Sequence, residues 1–315
     1  MLRRGGLVAF PTETVYGLGC DAESPPALRR LYRVKGRPAG HPVIVHLGDA
    51  ALLPEWSREL SGPAHALADA CWPGPLTLVV RRAARVPDEV TGGRDTVGVR
   101  VPDQRVALAL LRAFGGGIAA PSANRFGRAS PTTADDVRAD LGADVDVVLD
   151  DGRCAIGVES TVVDCSTGDL AILRLGAVAR ARVEQIVGAS VSLRTHATGA
   201  APGTLPAHYA PRARVLVVDR DAAAARAASL LAAGQTVALL AQQPVPDQLP
   251  SGLVMLDAPV DTDEYARVLY TRLRDADRHG VDVLLAVPPE SEGIGEAIVD
   301  RLQRAAASAP VSSTA

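Results

Sequence analysis

The sequence predicts an α/β protein built as two units, and three observations predict it. A chain of 315 residues with 47% hydrophobic content can bury two modest cores, the better expectation at this length. Short apolar runs bounded by Gly and Pro alternate with helical stretches through the first half, and the same alternation resumes after a passage with no period.

In the first unit the strand expectations fall on residues 7–10, 43–47, 76–80, 97–101, 117–120, 145–149 and 158–164. Helices are expected over 26–34, 61–70, 104–114 and 133–141, the last opening on a Thr-Thr-Ala-Asp start that resembles a capping box. From about Gly176 to Tyr209 the pattern loosens into Ala, Thr, Gly and Pro, which reads as an ordered linker or lid. Strands at 215–218, 236–240, 253–256 and 281–287 then alternate with helices at 222–233, 262–278 and 294–307. That order predicts a small, mostly parallel sheet with helices on its faces.

Net charge and cysteine usage narrow the function classes. A formal charge of -3 removes the broad positive excess of a protein that wraps nucleic acid, so weak or no direct RNA binding is expected. Cys20, Cys71, Cys154 and Cys165 are too widely spaced for a C-x-x-C metal ribbon and too few for a disulfide framework, and read as reduced thiols. No run of about 18 apolar residues exists and no signal-peptide core precedes the first strand, so a cytoplasmic protein without a membrane anchor is expected. Among 33 basic residues only Lys35 is lysine. Its survival suggests a position that needs a compact ammonium, although chance survival explains it equally on composition alone.

Three groups of motifs carry polar chemistry. Phe10-Pro-Thr-Glu-Thr-Val-Tyr-Gly-Leu-Gly19 breaks from a strand into a hydroxyl-rich turn, which suits a small polar substrate and equally a plain strand-to-loop junction. Lys35, Arg37, His41 and His46 share a Gly/Pro-rich loop entering a strand, an arrangement that suits a polyphosphate or a solvated basic turn. No carboxylate or cysteine stands at ligand spacing to those histidines, so no metal site is expected there. The third group comprises Thr96-Val-Gly-Val-Arg100, Pro121-Ser-Ala-Asn124 with Ser130, and Glu159-Ser-Thr-Val-Val-Asp164. Arg100 alternates with valines, so it needs a carboxylate partner or a cleft, and Ser122 and Asn124 are expected at a strand's carboxyl end. None of these segments supplies a side-chain nucleophile with its base. The inventory suits substrates that attack one another while the protein positions them and neutralises charge.

Taken in order, Pro-Thr-Glu-Thr-Val-Tyr-Gly-Leu, Lys-Gly-Arg-Pro, Pro73-Gly-Pro-Leu-Thr77, Val-Gly-Val-Arg-Val-Pro, Pro-Ser-Ala-Asn and Glu-Ser-Thr-Val-Val-Asp resemble the YrdC-like threonylcarbamoyl-AMP synthases over residues 1–178. The Pro202-Gly and His208-Tyr-Ala-Pro211 segments and the α/β unit after them resemble the long, two-domain form of that family. The resemblance implies a YrdC-like open twisted sheet over 1–178, a linker folding over its site at 179–211, and a Rossmann-like domain at 212–315. It implies synthesis of L-threonylcarbamoyl-AMP from L-threonine, bicarbonate or CO2, and ATP with Mg2+, with pyrophosphate released and a downstream transferase carrying the product to tRNA. Thr14, His46, Arg100, Ala120 and Ser160 are then the threonine contacts. Lys35, Arg37, His41, Thr96, Ser122, Asn124, Ser130, Arg174 and Tyr209 are the ATP contacts, with Lys35 and Arg37 as the catalytic cations. Many relatives carry asparagine where His41 stands, and often a helix before the first strand.

A double-stranded-RNA or tRNA-binding module without catalysis is the alternative from another class, and the acidic charge argues against it. A carbamoyl-transfer domain of the hydrogenase-maturation type would come with zinc-finger cysteines that this sequence lacks. The second unit shows no motif of its own, and a site-covering role through 202–211 is expected for it.

Overall fold

The computed structural model describes residues 1–194 and 209–308. They divide into two compact units, one of residues 1–126 with 130–194, the other of residues 209–308 with the short segment Gly127–Ala129. No helix among the described residues is long and apolar enough to cross a membrane.

The first unit is a mixed sheet of ten strands: β1 (Val8–Phe10), β2 (Gly17–Asp21), β3 (Ile44–His46), β4 (Leu76–Arg81), β5 (Thr96–Arg100), β6 (Ile118–Ala119), β7 (Val147–Val148), β8 (Thr161–Asp164), β9 (Ala171–Arg174) and β10 (Ser192–Leu193). Their order is β10-β9-β8-β4-β5-β3-β6-β2-β1-β7. Seven helices accompany them: α1 (Pro25–Lys35), the single-turn α2 (Leu53–Trp56), α3 (Gly62–Cys71), the single-turn α4 (Asp88–Thr91), α5 (Arg105–Phe114), α6 (Ala134–Leu141) and α7 (Arg180–Val187). Local chemistry sets their ends. Pro25 and Pro26 open α1, where a missing N–H is harmless, and Gly36 closes it in the left-handed region at φ 65°. The capping expectation at Thr133 is met, its side chain accepting from Asp136 N at 3.2 Å.

Strand alternation gives the sheet two unlike faces. Val43, Val45, Leu47, Leu76, Leu78, Val80, Val97, Val99 and Val101 all join the main core with Leu28 and Leu31 of α1 and Leu67 of α3. The intervening residues Ile44, His46, Thr77, Thr96, Gly98 and Arg100 fall on the opposite face. A Cβ on Gly98 would meet Ile44 and Thr77 side chains at 3.4 Å, which places these three together there. Leu111 and Phe114 of α5 pack with Phe10, Ile118 and Ala120, so an apolar helix covers one end of the sheet, while the β3–β5–β4 part of that face sets His46, Thr77, Thr96 and Arg100 among Ile44 and Val79.

Several stretches differ from the sequence expectation, among them β9 and the single-turn α2 and α4, which fall where no element is expected. The segment after Phe10 was expected as a turn, yet Gly17–Asp21 is a strand paired antiparallel with β1. A Cβ on Gly19 would lie 2.8 Å from Phe10 and Ile118, so close packing demands glycine and erases the usual strand signature. The passage expected as linker from 179 onwards begins instead with α7, whose Val183 is buried in the main core, and β10, parallel to β9. Residues 195–208, which include 202–208 of the expected site-covering segment, lie outside the described residues.

The second unit contains β11 (Arg214–Val217), β12 (Val237–Leu240), β13 (Val254–Met255) and β14 (Val283–Ala286) in the order β11-β14-β12-β13, every pair parallel. Three helices, α8 (Ala223–Ala232), α9 (Thr262–Arg278) and α10 (Gly295–Ala306), complete it. The central strands Val-Ala-Leu-Leu and Val-Leu-Leu-Ala are buried at every residue, as expected for a parallel sheet covered on both faces. Asp261 caps α9 by accepting from Glu264 N at 2.7 Å.

Candidate functional site

Backbone hydrogen bonds stitch the sequence motifs together. Leu18 N donates to Pro121 O and Ala123 N to Tyr16 O, both at 2.8 Å, which lays the Thr12–Tyr16 turn against Ser122 and Asn124. Ile156 N and Gly157 N donate to the carbonyls of Glu13 and Thr14, bringing in the chain that leads to Ser160. Segments far apart in sequence thus converge on the face of the sheet that carries His46 and Arg100.

Arg100 is the centre of the first cluster. It is 3% exposed at the end of β5, in register with His46 of β3. Its Nε donates to Gly74 O at 3.1 Å and its Nη1 to Thr14 Oγ1 at 3.0 Å. Gly74 is required where it stands, because a Cβ there would lie 2.3 Å from the Cys71 carbonyl. The carboxylate partner that the sequence demanded for Arg100 is Glu13, whose Oε1 lies 2.7 Å from Nη2. This contact lacks hydrogen-bond geometry, so both Glu13 oxygens and Arg100 Nη2 have no hydrogen-bond partner. Burial and the Arg100 guanidinium push the His46 imidazole down to about 3, so it is neutral, and its Nδ1 is also buried without a partner. Thr14 shares a 2.8 Å hydroxyl contact with Thr12. Ala120 N donates to Ile44 O at 2.9 Å, holding its backbone beside β3.

A second group gathers at the start of β8. Ser160 Oγ lies 2.8 Å from Thr77 Oγ1 and accepts from Arg174 Nη2 at 3.0 Å, and Arg174 also donates to Ser160 O. Ser130 Oγ donates to Glu159 Oε1 at 2.6 Å, one residue before Ser160. All of these side chains are buried.

The basic loop forms the third group. Lys35 is 2% exposed, and its Nζ donates to Ser122 O and Asn124 O, each at 2.5 Å. Two convergent carbonyls suit a compact ammonium better than a planar guanidinium, a physical reason for a lysine here in an arginine-rich chain. Burial first, and the neighbouring Arg37 charge second, hold its pKa well below the ordinary lysine value. Arg37 donates to Pro42 O at 2.8 Å and lies over the Phe126 ring at 5.6 Å. His41 meets the same ring edge-on at 5.6 Å, and burial, then Arg37 and Arg94, lower its pKa. Asn124 Nδ2 donates to Arg125 O at 2.7 Å.

Thr96 and Tyr209 are the remaining expected residues. Thr96 is half-buried at the start of β5, on the same face as Arg100 and paired with Arg81. Tyr209 belongs to the second unit, where it is 1% exposed, 5.6 Å from the Tyr270 ring and beneath the Arg301 guanidinium at 5.0 Å. The structure adds Glu13, Thr77 and Glu159 to the polar set. Glu13 lay inside a quoted motif, but nothing in its spacing could pair it with Arg100.

Known proteins carry the same two-part organisation. Residues 1–176 match the Sua5/YciO/YrdC family model, described as telomere recombination, and residues 178–307 match that of the threonylcarbamoyl-AMP synthase C-terminal domain. The chain is 40% identical over 322 residues to the threonylcarbamoyl-AMP synthase of Pyrococcus abyssi, with 96% of this chain and 91% of that protein covered. It is 35% identical over 317 residues to that of Bacillus subtilis, with 97% and 91% covered. The crystal structure of P. abyssi Sua5 complexed with L-threonine matches it with a TM-score of 0.91 and 38% identity, covering 97% of this chain and 92% of that one. The chain belongs to the threonylcarbamoyl-AMP synthase family of enzymes.

Proposed function

We propose that this chain joins L-threonine and bicarbonate, or CO2, to the adenylate of ATP, giving L-threonylcarbamoyl-AMP and pyrophosphate for threonylcarbamoylation of the adenosine 3′ of the tRNA anticodon by a separate transferase in the cytoplasm. The observation that carries the reading is Arg100, a buried guanidinium on that face of the sheet with Nη2 unsatisfied and Thr14, His46 and Glu13 beside it. A guanidinium so placed meets a carboxylate with a charge-assisted fork, and the threonine complex of the P. abyssi relative supports threonine as its bearer.

In this reading the threonine amine attacks the carbon of CO2, forming the N–C bond and losing a proton, and a carbamate oxygen then attacks the α-phosphorus. The new P–O bond forms as the bond to pyrophosphate breaks. Among the described residues burial raises all four cysteine thiols, Cys154 and Cys165 to about 12, so none stands ready as a thiolate nucleophile. Lys35 and Arg37 neutralise charge on the departing pyrophosphate. His41, Thr96, Ser122, Asn124, Ser130, Arg174 and Tyr209 complete the nucleotide side, and Ala120 and Ser160 the threonine side. Mg2+ enters on the phosphate oxygens of ATP as part of the co-substrate.

The test is pyrophosphate release by the purified chain from MgATP, with threonine and bicarbonate omitted in turn. Release is expected only with both present. Release that ignores threonine would overturn the reading.

A further inference from the structure

The Glu13–Arg100 pair is less satisfied than a structural ion pair in so dry a place should be. Its side chains are 8% and 4% exposed. A buried pair is tolerated when further hydrogen bonds satisfy the remaining lone pairs and N–H groups. Here neither Glu13 oxygen and not Nη2 of Arg100 has one. Thr12, next to Glu13, spends its hydroxyl on Val15 O and Thr14 instead. The unused capacity belongs to one anion and one cation, side by side.

The charges around the pair define what could use it. His46 is neutral, and the Cys154 thiol, which senses both Glu13 and Arg100, is neutral as well. The pair itself is therefore neutral overall, one carboxylate against one guanidinium. A simple carboxylate ligand would bury a net negative charge, and a simple amine a net positive one. A zwitterion adds neither, and it offers each partner the opposite charge.

We propose that Glu13 is the acceptor for the α-ammonium group of the amino-acid substrate, so that the pair opens to hold a zwitterion, carboxylate toward Arg100 and ammonium toward Glu13. This deepens the threonine reading above and rests on it. Glu13 then selects α-amino acids over hydroxy acids of the same shape.

The experiment is calorimetric titration of the full chain with L-threonine and with its 2-hydroxy analogue, in which a hydroxyl replaces the amine, on wild type, Glu13→Gln and Glu13→Asp. Wild type is expected to prefer threonine by about tenfold or more, the scale of one charge-assisted hydrogen bond. Glu13→Gln should erase that preference by weakening threonine alone, leaving the analogue and MgATP within about threefold of wild type. Glu13→Asp should keep part of it. Equal weakening of threonine and analogue would overturn the proposal, as would tighter threonine binding by Glu13→Gln, which would make Glu13 a competitor for Arg100. If Glu13→Gln fails to fold in a thermal melt, Glu13→Asp decides by the same criterion. Wild-type protein that binds MgATP but neither small ligand would instead remove the threonine reading itself.

Discussion

The two units bury polar side chains on very different scales. Of the buried polar and charged side chains among the described residues, only Arg301 and Arg304 lie in the second unit, and both are satisfied next door. Arg301 Nη1 meets Asp300 at 2.5 Å and Arg304 Nη2 meets it at 2.9 Å. The first unit buries Glu13, His46 and Arg100 on one sheet face and leaves atoms of all three without hydrogen bonds. Burying such groups opposes folding unless something else selects for them. Burial with satisfaction suits scaffolding, although Ser130, Ser160 and Arg174 combine it with an assigned substrate role; atoms left unsatisfied side by side are what a site looks like before its substrate arrives.

The sharpest break in that comparison should come from Arg100→Ala. Truncating one partner of a buried charge pair with a ligand costs about 2–5 kcal/mol of binding, so threonine-dependent pyrophosphate release should fall by roughly a thousandfold. MgATP affinity, read separately by calorimetry, should stay near wild type. Equal loss of both would make Arg100 scaffolding.

Lys35 crosses the two classes, because it is buried and satisfied yet assigned to catalysis. If charge on the leaving pyrophosphate is its task, Lys35→Ala lowers kcat by roughly a hundredfold with threonine affinity unchanged. A variant that loses only thermal stability would move Lys35 to the side of Arg301, as the clamp that holds the Ser122 and Asn124 carbonyls.

Arg301→Met is the matching change in the second unit. It removes the Asp300 contact and the stacking on Tyr209, and should lower unfolding stability by about 1–3 kcal/mol. Threonine affinity is expected to stay at wild type. A selective loss of threonine affinity without loss of stability would mean that satisfied burial does not mark scaffolding in this chain.

Legibility in the sequence follows the same division. The second unit could be read nearly residue by residue, because fully buried parallel strands are continuous apolar runs, and α9 spans Thr262–Arg278 as its capped, amphipathic pattern predicts. In the first unit β2 was hidden by glycines that exist to admit Phe10 and Ile118, and α7 by a short segment with only Val183 buried. Arg100 was legible because an arginine alternating with valines has to be partnered. Glu13 was not, since the partner is supplied by a turn from the far end of the domain, and no local pattern records a tertiary pair.

The smallest expected effect concerns His46 and acid. Its folded pKa of about 3 lies below its ordinary value of 6.5. Between those values the unfolded chain binds a proton that the folded chain refuses, so stability rises with pH through this window. The neutral ring's contribution is fully present above about 6.5 and is lost progressively as pH falls toward 3. His46→Gln should therefore flatten the acid limb of unfolding free energy against pH, measured in urea, by up to about one proton. Threonine affinity in wild type should show no inflection near 6.5, because the ring beside Arg100 stays neutral on both sides of that value. An inflection there that disappears in His46→Gln would show a ring charged near neutrality. That would end the charge balance on which the pairing of Glu13 and Arg100 with a zwitterion depends.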